Sequence, residues 1–596
     1  MIQAEVAQGS QKAGSAWTAP IAYSLPVQND SAVPDELDSP IEDVAAYISG
    51  AGVYGRQLRR VLADLDRSSK SLAGLVRDNA TPRRTVEELL DVADRDLDKR
   101  NGCFSLRAEQ AARYRSRFDL DRLRQTEFTD PLARRLDENA ELLGTVEELI
   151  RSAPRPERSL DHVSATAETV VRRALWLDST FDLAGSRLLC VGDHDLTSLA
   201  IAMMCPSTSV TVVDIDERIL EFIAGTARQR GLDIQCLYAD LRLGLPRSAL
   251  GSADLAVTDP PYTPEGVRLF LARGIQGLRD TDTGRLLMAY GFSPRQPALG
   301  LYVQRAVLGL HLAIEGIIPN FNRYDGAQAV GSAADWYICQ PTPKSRRIAQ
   351  RTADEGLRNI YTHGTQSIEA GNSNMDKDLG ALLAEVDESA VLIGSDWPKS
   401  VSNHPRVSLE TLLGSGVPAV YARRNDLTIV ANIADDPGTW LLRILLATNA
   451  YRVLAMVDNR HPDIRNQAGQ TTLRTLLGAK YEVRFKRSWQ GGRYAVVEAE
   501  RVHPGQLQPS DRLVNRILTR AHGTVGNTWR DGLTKLDPGR TVTKSQARAL
   551  IQAAASSRAL LDRSLIELCR ADIATVIADV RRAGVSPPSD DQSTIS

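Results

Sequence analysis

Between Leu183 and Gln340, short apolar runs alternate with helix-length amphipathic stretches, and this alternation limits the fold more than any other feature of the chain. The runs that read as strands are Arg187–Val191, Val210–Asp214, Ile234–Tyr238, Ala253–Thr258, Arg285–Tyr290, Ala313–Phe321 and Asp335–Gln340. Helices fit between the first five, among them Glu217–Arg230 and Pro264–Gly277. Parallel strands need a crossover long enough to carry the chain back across the sheet, usually a helix, so this order predicts a parallel sheet.

Five βα units followed by two adjacent strands is the sequence order of a class I methyltransferase-like (Rossmann-like) α/β sheet, which ends in an antiparallel hairpin. The rest of the 596 residues is too much for one core and predicts further domains. Residues 1–40, rich in Ser, Ala, Pro and Gln without periodicity, read as a disordered leader. Residues 41–115 read as helix, helix-turn-helix and hairpin, an order that predicts a winged-helix domain. Thr85 and Glu88 fit a capping box, and Asn101-Gly102 is a hairpin turn signal before the strand Cys103–Leu106. A helical connector (116–182), the methyltransferase-like domain (183–345) and a polar, irregular linker (346–378) follow. Residues 379–503 read as a second α/β domain echoing the back half of the first, 504–584 as a helical region, and 585–596 as a disordered tail.

In open α/β sheets, ligands bind in the crevice beyond the carboxyl ends of the strands. Two acid-bearing turns stand there. Gly192-Asp193-His194-Asp195-Leu196 follows the first strand, and Thr258-Asp259-Pro260-Pro261-Tyr262-Thr263 follows the fourth. The second strand ends at Asp214, with Asp216 two residues on, and the third is followed by Asp240. Those are the places of the acids that bind the ribose and adenine of an S-adenosyl cofactor, although each could instead cap the next helix. The first loop holds one glycine and two carboxylates. These repel the carboxylate of AdoMet and attract the ammonium of its decarboxylated form or of a polyamine. At about 4 Å and an effective dielectric near 20, each contact is on the order of 4 kcal/mol before desolvation.

With a winged-helix front end, Gly192–Leu196 and Asp259–Thr263 together resemble the branched-chain polyamine synthases, the N4-bis(aminopropyl)spermidine synthases related to spermidine synthase. The likeness spans about residues 41–342, and the rest is a long C-terminal extension. It implies transfer of aminopropyl groups from decarboxylated AdoMet, a co-substrate rather than a tightly bound cofactor, to an amine of spermidine. The by-product is methylthioadenosine, no metal takes part, and the enzyme is a homodimer. On this resemblance Asp193 is the general base, Asp195 and Asp259 orient the polyamine, Tyr262 lines the pocket and Glu265 adds charge at its rim. The family carries acids at all three positions after the glycine, whereas His194 stands at the middle one here. His194 is either a neutral hydrogen-bonding group or a cation beside its acidic neighbours.

Two other readings use the same residues. Asp259-Pro260-Pro261-Tyr262 also marks AdoMet-dependent amino-methyltransferases that act on a flipped base. A polyamine or nucleotide sensor regulating through its winged helix is the non-catalytic alternative. Arg83 and Arg84 would serve DNA binding, but Glu87, Glu88 and Asp91 on the same helix oppose a phosphate backbone. A net charge of -2 adds no attraction to nucleic acid or membrane. The six cysteines form no C-x-x-C pair, which fits reduced thiols in the cytoplasm, and no apolar run approaches a membrane span. His404 and His461, each before a proline, are expected on surface loops, and Asn432–Pro437 reads as a structural turn.

Overall fold

The computed structural model describes residues 40–125, 130–354, 360–362, 376–394, 397, 403–535 and 542–585. The expected leader, save residue 40, lies outside them, as do residues 586–596 of the expected tail.

The first unit opens with helices Pro40–Gly50 and Gly55–Arg67. The second buries Leu58, Val61, Leu62 and Leu65, the one-face spacing of an amphipathic helix. Strand β1 (Lys70–Ser71), helices Leu72–Asn79 and Arg83–Val92, and strands β2 (Leu97–Arg100) and β3 (Cys103–Leu106) complete it in the sheet order β1-β3-β2. Asn101 and Gly102 both have positive φ, 51° and 75°, as a tight two-residue hairpin turn requires. The capping box does not form. Pro82, with φ at -53°, starts the helix earlier, and its carbonyl accepts from the amides of Thr85 and Val86. Thr85 Oγ1 accepts instead from Arg295 Nε at 2.9 Å, and Glu88 accepts from the Tyr47 hydroxyl at 2.9 Å.

Connector helices lead to helix Ala167–Thr180, whose first turn is capped by Thr166. The central sheet has strands β4 (Arg187–Val191), β5 (Ser209–Asp214), β6 (Ile234–Tyr238), β7 (Leu255–Thr258), β8 (Arg285–Tyr290), β9 (Leu312–Arg323) and β10 (Ala333–Pro341). Their order is β6-β5-β4-β7-β8-β10-β9, parallel up to β8, with β10 antiparallel to both β8 and β9. The chain leaves β4 first to one side and later to the other, so the loops after β4 and β7 part around a crevice. The first part of the expected irregular linker is ordered. Residues Ser345–Asp354 form a helix, which packs on helix Pro264–Gly277.

The C-terminal sheet holds β11 (Val391–Ile393), β12 (Arg406–Val407), β13 (Thr428–Asn432), β14 (Arg452–Asp458), β15 (Tyr481–Lys486) and β16 (Tyr494–Arg501) in the order β12-β11-β13-β14-β16-β15. From β11 onward this repeats the order of the central sheet from β4 to β9, including the antiparallel strand inserted before the last. One strand fewer stands on the other flank. Helices Pro509–Leu518, Val525–Lys535, Lys544–Ala554 and Arg570–Val585 follow.

A buried charge network joins the layers. Glu217 at the start of helix Glu217–Arg230 accepts from Arg443 at 2.6 Å and from Arg570 at 2.8 Å, and Arg570 also pairs with Asp463. His461 is a correction to the surface expectation: it is 4% exposed and pairs with Asp436 at 2.9 Å. Asp436 in turn accepts backbone N–H groups from Gly438, Thr439, Trp440 and Leu441, so the Asn432–Pro437 turn serves as a helix cap. Among the described residues, no helix is long and apolar enough to cross a membrane.

Candidate active site

The loops after β4, β5 and β7 open on one cavity of about 570 Å³. Its wall includes Gly192, Asp193, His194, Asp195, Asp214, Asp259 and Tyr262, together with Arg173, Tyr324, His162 and Tyr361. Gly192 has φ at +74°, and a Cβ added there would lie 3.4 Å from the Phe270 ring and 3.9 Å from Asp214, so the turn favours glycine.

The carboxylates differ sharply in their surroundings. Asp193 is buried, and its two oxygens accept from the amides of Thr197 and Ser198 at 2.9 and 3.1 Å. It therefore satisfies the first turn of helix Thr197–Met204, which has Leu196 rather than a polar side chain at its N-cap. Burial nevertheless pushes its pKa up to about 7. Asp214 holds the loop from the other side, accepting from the amides of Asp193 at 3.0 Å and Asp216 at 2.8 Å, and burial raises it to about 6.

Asp195 and Asp259 share a cation that no motif announced. Arg173 is 2% exposed and reaches Asp195 with one guanidinium nitrogen at 2.8 Å and Asp259 with another at 2.7 Å. Its Nε donates to Asn322 Oδ1, and its plane lies over the Trp336 ring. Burial works to raise the pKa of Asp195, but Arg173 and the Ala165 amide hold it below the usual carboxylate value. Burial and the Asp195 charge drive Asp259 the other way, to about 7, even with the Tyr324 hydroxyl donating to it at 2.7 Å.

His194 stacks on His162 with centroids 4.3 Å apart and planes at 14°. Burial first, and then the His162 ring, lower the affinity of His194 for a proton, and burial lowers that of His162, in both cases against the pull of neighbouring aspartates. The pair is therefore a neutral wall at neutral pH.

Residues 141–363 match the family model described as the branched-chain polyamine synthase A C-terminal domain. The match takes in β4 to β10 and the loops that line the cavity. An uncharacterised protein of Methanocaldococcus jannaschii is 37% identical over 36% of this chain and 53% of its own length. The N(4)-bis(aminopropyl)spermidine synthase of Thermococcus kodakarensis is 35% identical over 34% of this chain and 58% of its own. The chain thus spans little more than half the length of these relatives. A crystal structure of the branched-chain polyamine synthase from Thermus thermophilus, in complex with N4-aminopropylspermidine and 5'-methylthioadenosine, aligns at 19% identity over 50% of this chain and 92% of that one, with a TM-score of 0.36.

Within the matched segment the expected residues divide into two groups. Asp193, Asp195, Asp214, Asp259, Gly192, His194 and Tyr262 converge on the cavity. Three do not. Asp216 caps helix Glu217–Arg230 and is engaged on both oxygens by Arg218. Asp240 is held by Arg242 at 2.9 and 2.5 Å and by Trp440 Nε1 at 2.9 Å, outside the cavity wall. Glu265 is exposed in the first turn of helix Pro264–Gly277. Arg173 was readable in one respect: it stands three residues after Val170 and four before Leu177, a charged side chain in the apolar stripe of its helix. His162, Tyr324 and Tyr361 come from loops and a strand end far along the chain, and no local pattern marks them.

Proposed function

We propose that this cavity binds decarboxylated AdoMet and a spermidine-like polyamine and transfers an aminopropyl group between them. The observation that carries the reading is the charge balance of the wall. Asp193, Asp195, Asp214 and Asp259 are buried around one space, and among the described residues Arg173 is the one buried cation that pairs with them. A surplus of desolvated carboxylates is costly unless a cation comes to them. Both proposed substrates are cations. The nucleoside would lie along the ends of β4 to β6, against the apolar surfaces of Ile215, Leu241, Phe270 and Tyr361.

The chemistry needs an unprotonated amine. Its nitrogen lone pair attacks the aminopropyl carbon next to the sulfonium, the carbon–sulfur bond breaks, and its electrons return to sulfur to give neutral methylthioadenosine. The new ammonium then passes its proton to a carboxylate. Asp193 was the base expected from the resemblance, and it keeps that proton affinity, but both of its oxygens already serve the helix start. Asp259 is the group we assign, because its side chain is 19% exposed toward the cavity and its pKa lies near 7, where a base is most effective. Arg173 and Tyr324 hold one of its oxygens in place. Asp193, Asp195 and Asp214 then shape the loop and attract the remaining ammonium groups.

The test is mass spectrometry of the protein incubated with spermidine and decarboxylated AdoMet, expected to show methylthioadenosine and aminopropyl adducts. Asp259→Asn should lower kcat by about 100-fold or more while nucleoside affinity stays within a few-fold. Full turnover in that variant, with none in Asp193→Asn, would return the base role to Asp193.

The N-terminal unit is, in this proposal, a winged helix used for packing. Arg83 donates to Gln328, Arg77 pairs with Asp325, and Arg295 pairs with Glu88, all across to the central domain. The six cysteines are free thiols, which supports a reducing, cytoplasmic setting. Leu301, Tyr302 and Leu308, with Ile317 on edge strand β9, are the exposed apolar residues that the homodimer implied by the resemblance would cover.

A further inference from the structure

The C-terminal α/β domain packs against the turn that follows β6, where Trp440 meets Asp240. Trp440 opens helix Trp440–Ala447, and its position is fixed from behind, since Asp436 accepts its backbone N–H at 2.9 Å and is itself held by His461. From there the indole Nε1 donates to Asp240 Oδ2 at 2.9 Å. Asp240 accepts from the Arg242 amide, Nε and Nη2, so the two side chains form one rigid pair, 4% and 6% exposed.

The Arg242 guanidinium lies between two rings, 5.2 Å from the Trp440 centroid and 5.7 Å from that of Tyr361. Tyr361 and Leu241, the residue between Asp240 and Arg242, both face the cavity. The short segment that carries Tyr361 is tied down at both sides. The Thr263 hydroxyl donates to the Ile360 carbonyl at 2.7 Å, and Thr362 donates to Asp161 through its amide and hydroxyl. A cation held between two aromatic faces and fixed by a bidentate carboxylate has little freedom to move.

We propose that Trp440 is a positioning residue for nucleoside binding: it holds the Asp240–Arg242 pair against Tyr361 and so sets the wall on which the nucleoside of the donor rests. This rests on the nucleoside reading of the cavity given above. It makes the domain beyond the family match part of the binding site while leaving the chemistry to the central domain. The acid after β6 acts here through Arg242 and Tyr361 rather than by direct contact with a base.

The experiment measures affinity for 5'-methylthioadenosine by calorimetry, and steady-state kinetics, for the full chain, Trp440→Phe and Thr439→Val. Phenylalanine keeps a ring over Arg242 but removes the donor to Asp240. Loss of one hydrogen bond to a charged group should weaken nucleoside affinity about tenfold and raise the KM for the donor to match, with kcat and the KM for the amine within about twofold. Thr439→Val breaks the neighbouring bond from the Tyr238 hydroxyl, 2.8 Å long, which belongs to the same interface but not to the Trp440 relay. It should leave nucleoside affinity unchanged. Unaltered affinity in Trp440→Phe, a fall in kcat without one in affinity, or equal losses in both variants would each overturn the proposal. A wild-type protein that binds no nucleoside would instead remove the functional reading, and this proposal with it.

Discussion

Arg173 decides the electrostatics of the cavity at the level of single residues. It gives Asp195 a fixed partner and leaves Asp259 as the member of the pair that can take up a proton. Asp193 and Asp259 near 7 and Asp214 near 6 all lie above the usual carboxylate value. Between about pH 4 and 7 the folded protein therefore holds protons that the unfolded chain has released, and these groups stabilise it less as pH rises through that window. A bound polyamine reverses the effect by favouring the charged forms. Spermidine binding at pH 6.5 should thus release protons, seen as a dependence of calorimetric heat on the ionisation enthalpy of the buffer. No dependence, or proton uptake, would mean that the carboxylates are already charged or do not meet the amine. The acids of this site were visible in the sequence because two motifs sit at strand ends. Their different fates were not, because the partner that separates them lies on a helix before the sheet.

Strands and helices show the same division between what is local and what is not. The seven central strands were readable to within about two residues because most are buried apolar runs bounded by turn residues, and the more exposed β9 still carries apolar residues at strand spacing. β1 and β12, two residues each, are too short to show any period. Helix Ser345–Asp354 was missed because Arg346, Arg347 and Arg351 dominate it and little apolar surface marks its inner face. The Gly192–Leu196 turn combines both kinds of signal. It is a ligand loop, and Asp193 is also the cap that its helix otherwise lacks. Asp193→Ala should therefore speed amide hydrogen exchange at Thr197 and Ser198 relative to the body of the central sheet, with a helix-start cost of about 1 kcal/mol. Unchanged protection there would show that the helix start does not depend on the carboxylate.

For the molecule as a whole, the repeated strand order of the two sheets was legible only as an echo. Its strands from β11 onward carry the pattern, whereas the two-residue β12 does not. The packing between domains was not legible at all, since Glu217, Arg443, Asp463 and Arg570 are far apart in sequence and meet only in the folded chain. The same is true of the N-terminal unit. The arginines that suggested nucleic acid, Arg83 and Arg84, are spent on Glu87, Glu88 and Gln328. Duplex DNA should accordingly bind no more tightly than the non-specific range of about 10⁻⁴ to 10⁻⁶ M at physiological salt, as measured by fluorescence anisotropy. Nanomolar affinity would contradict the packing role.

We propose that the first loop selects an amine-tailed donor over a carboxylate-tailed one. The most direct test is competition between decarboxylated AdoMet and AdoMet for the full-length protein near neutral pH. The decarboxylated donor should bind at least about tenfold more tightly, a difference of about 1.4 kcal/mol that is well below the Coulomb energy of one such contact. Equal affinity, or preference for AdoMet, would contradict the account.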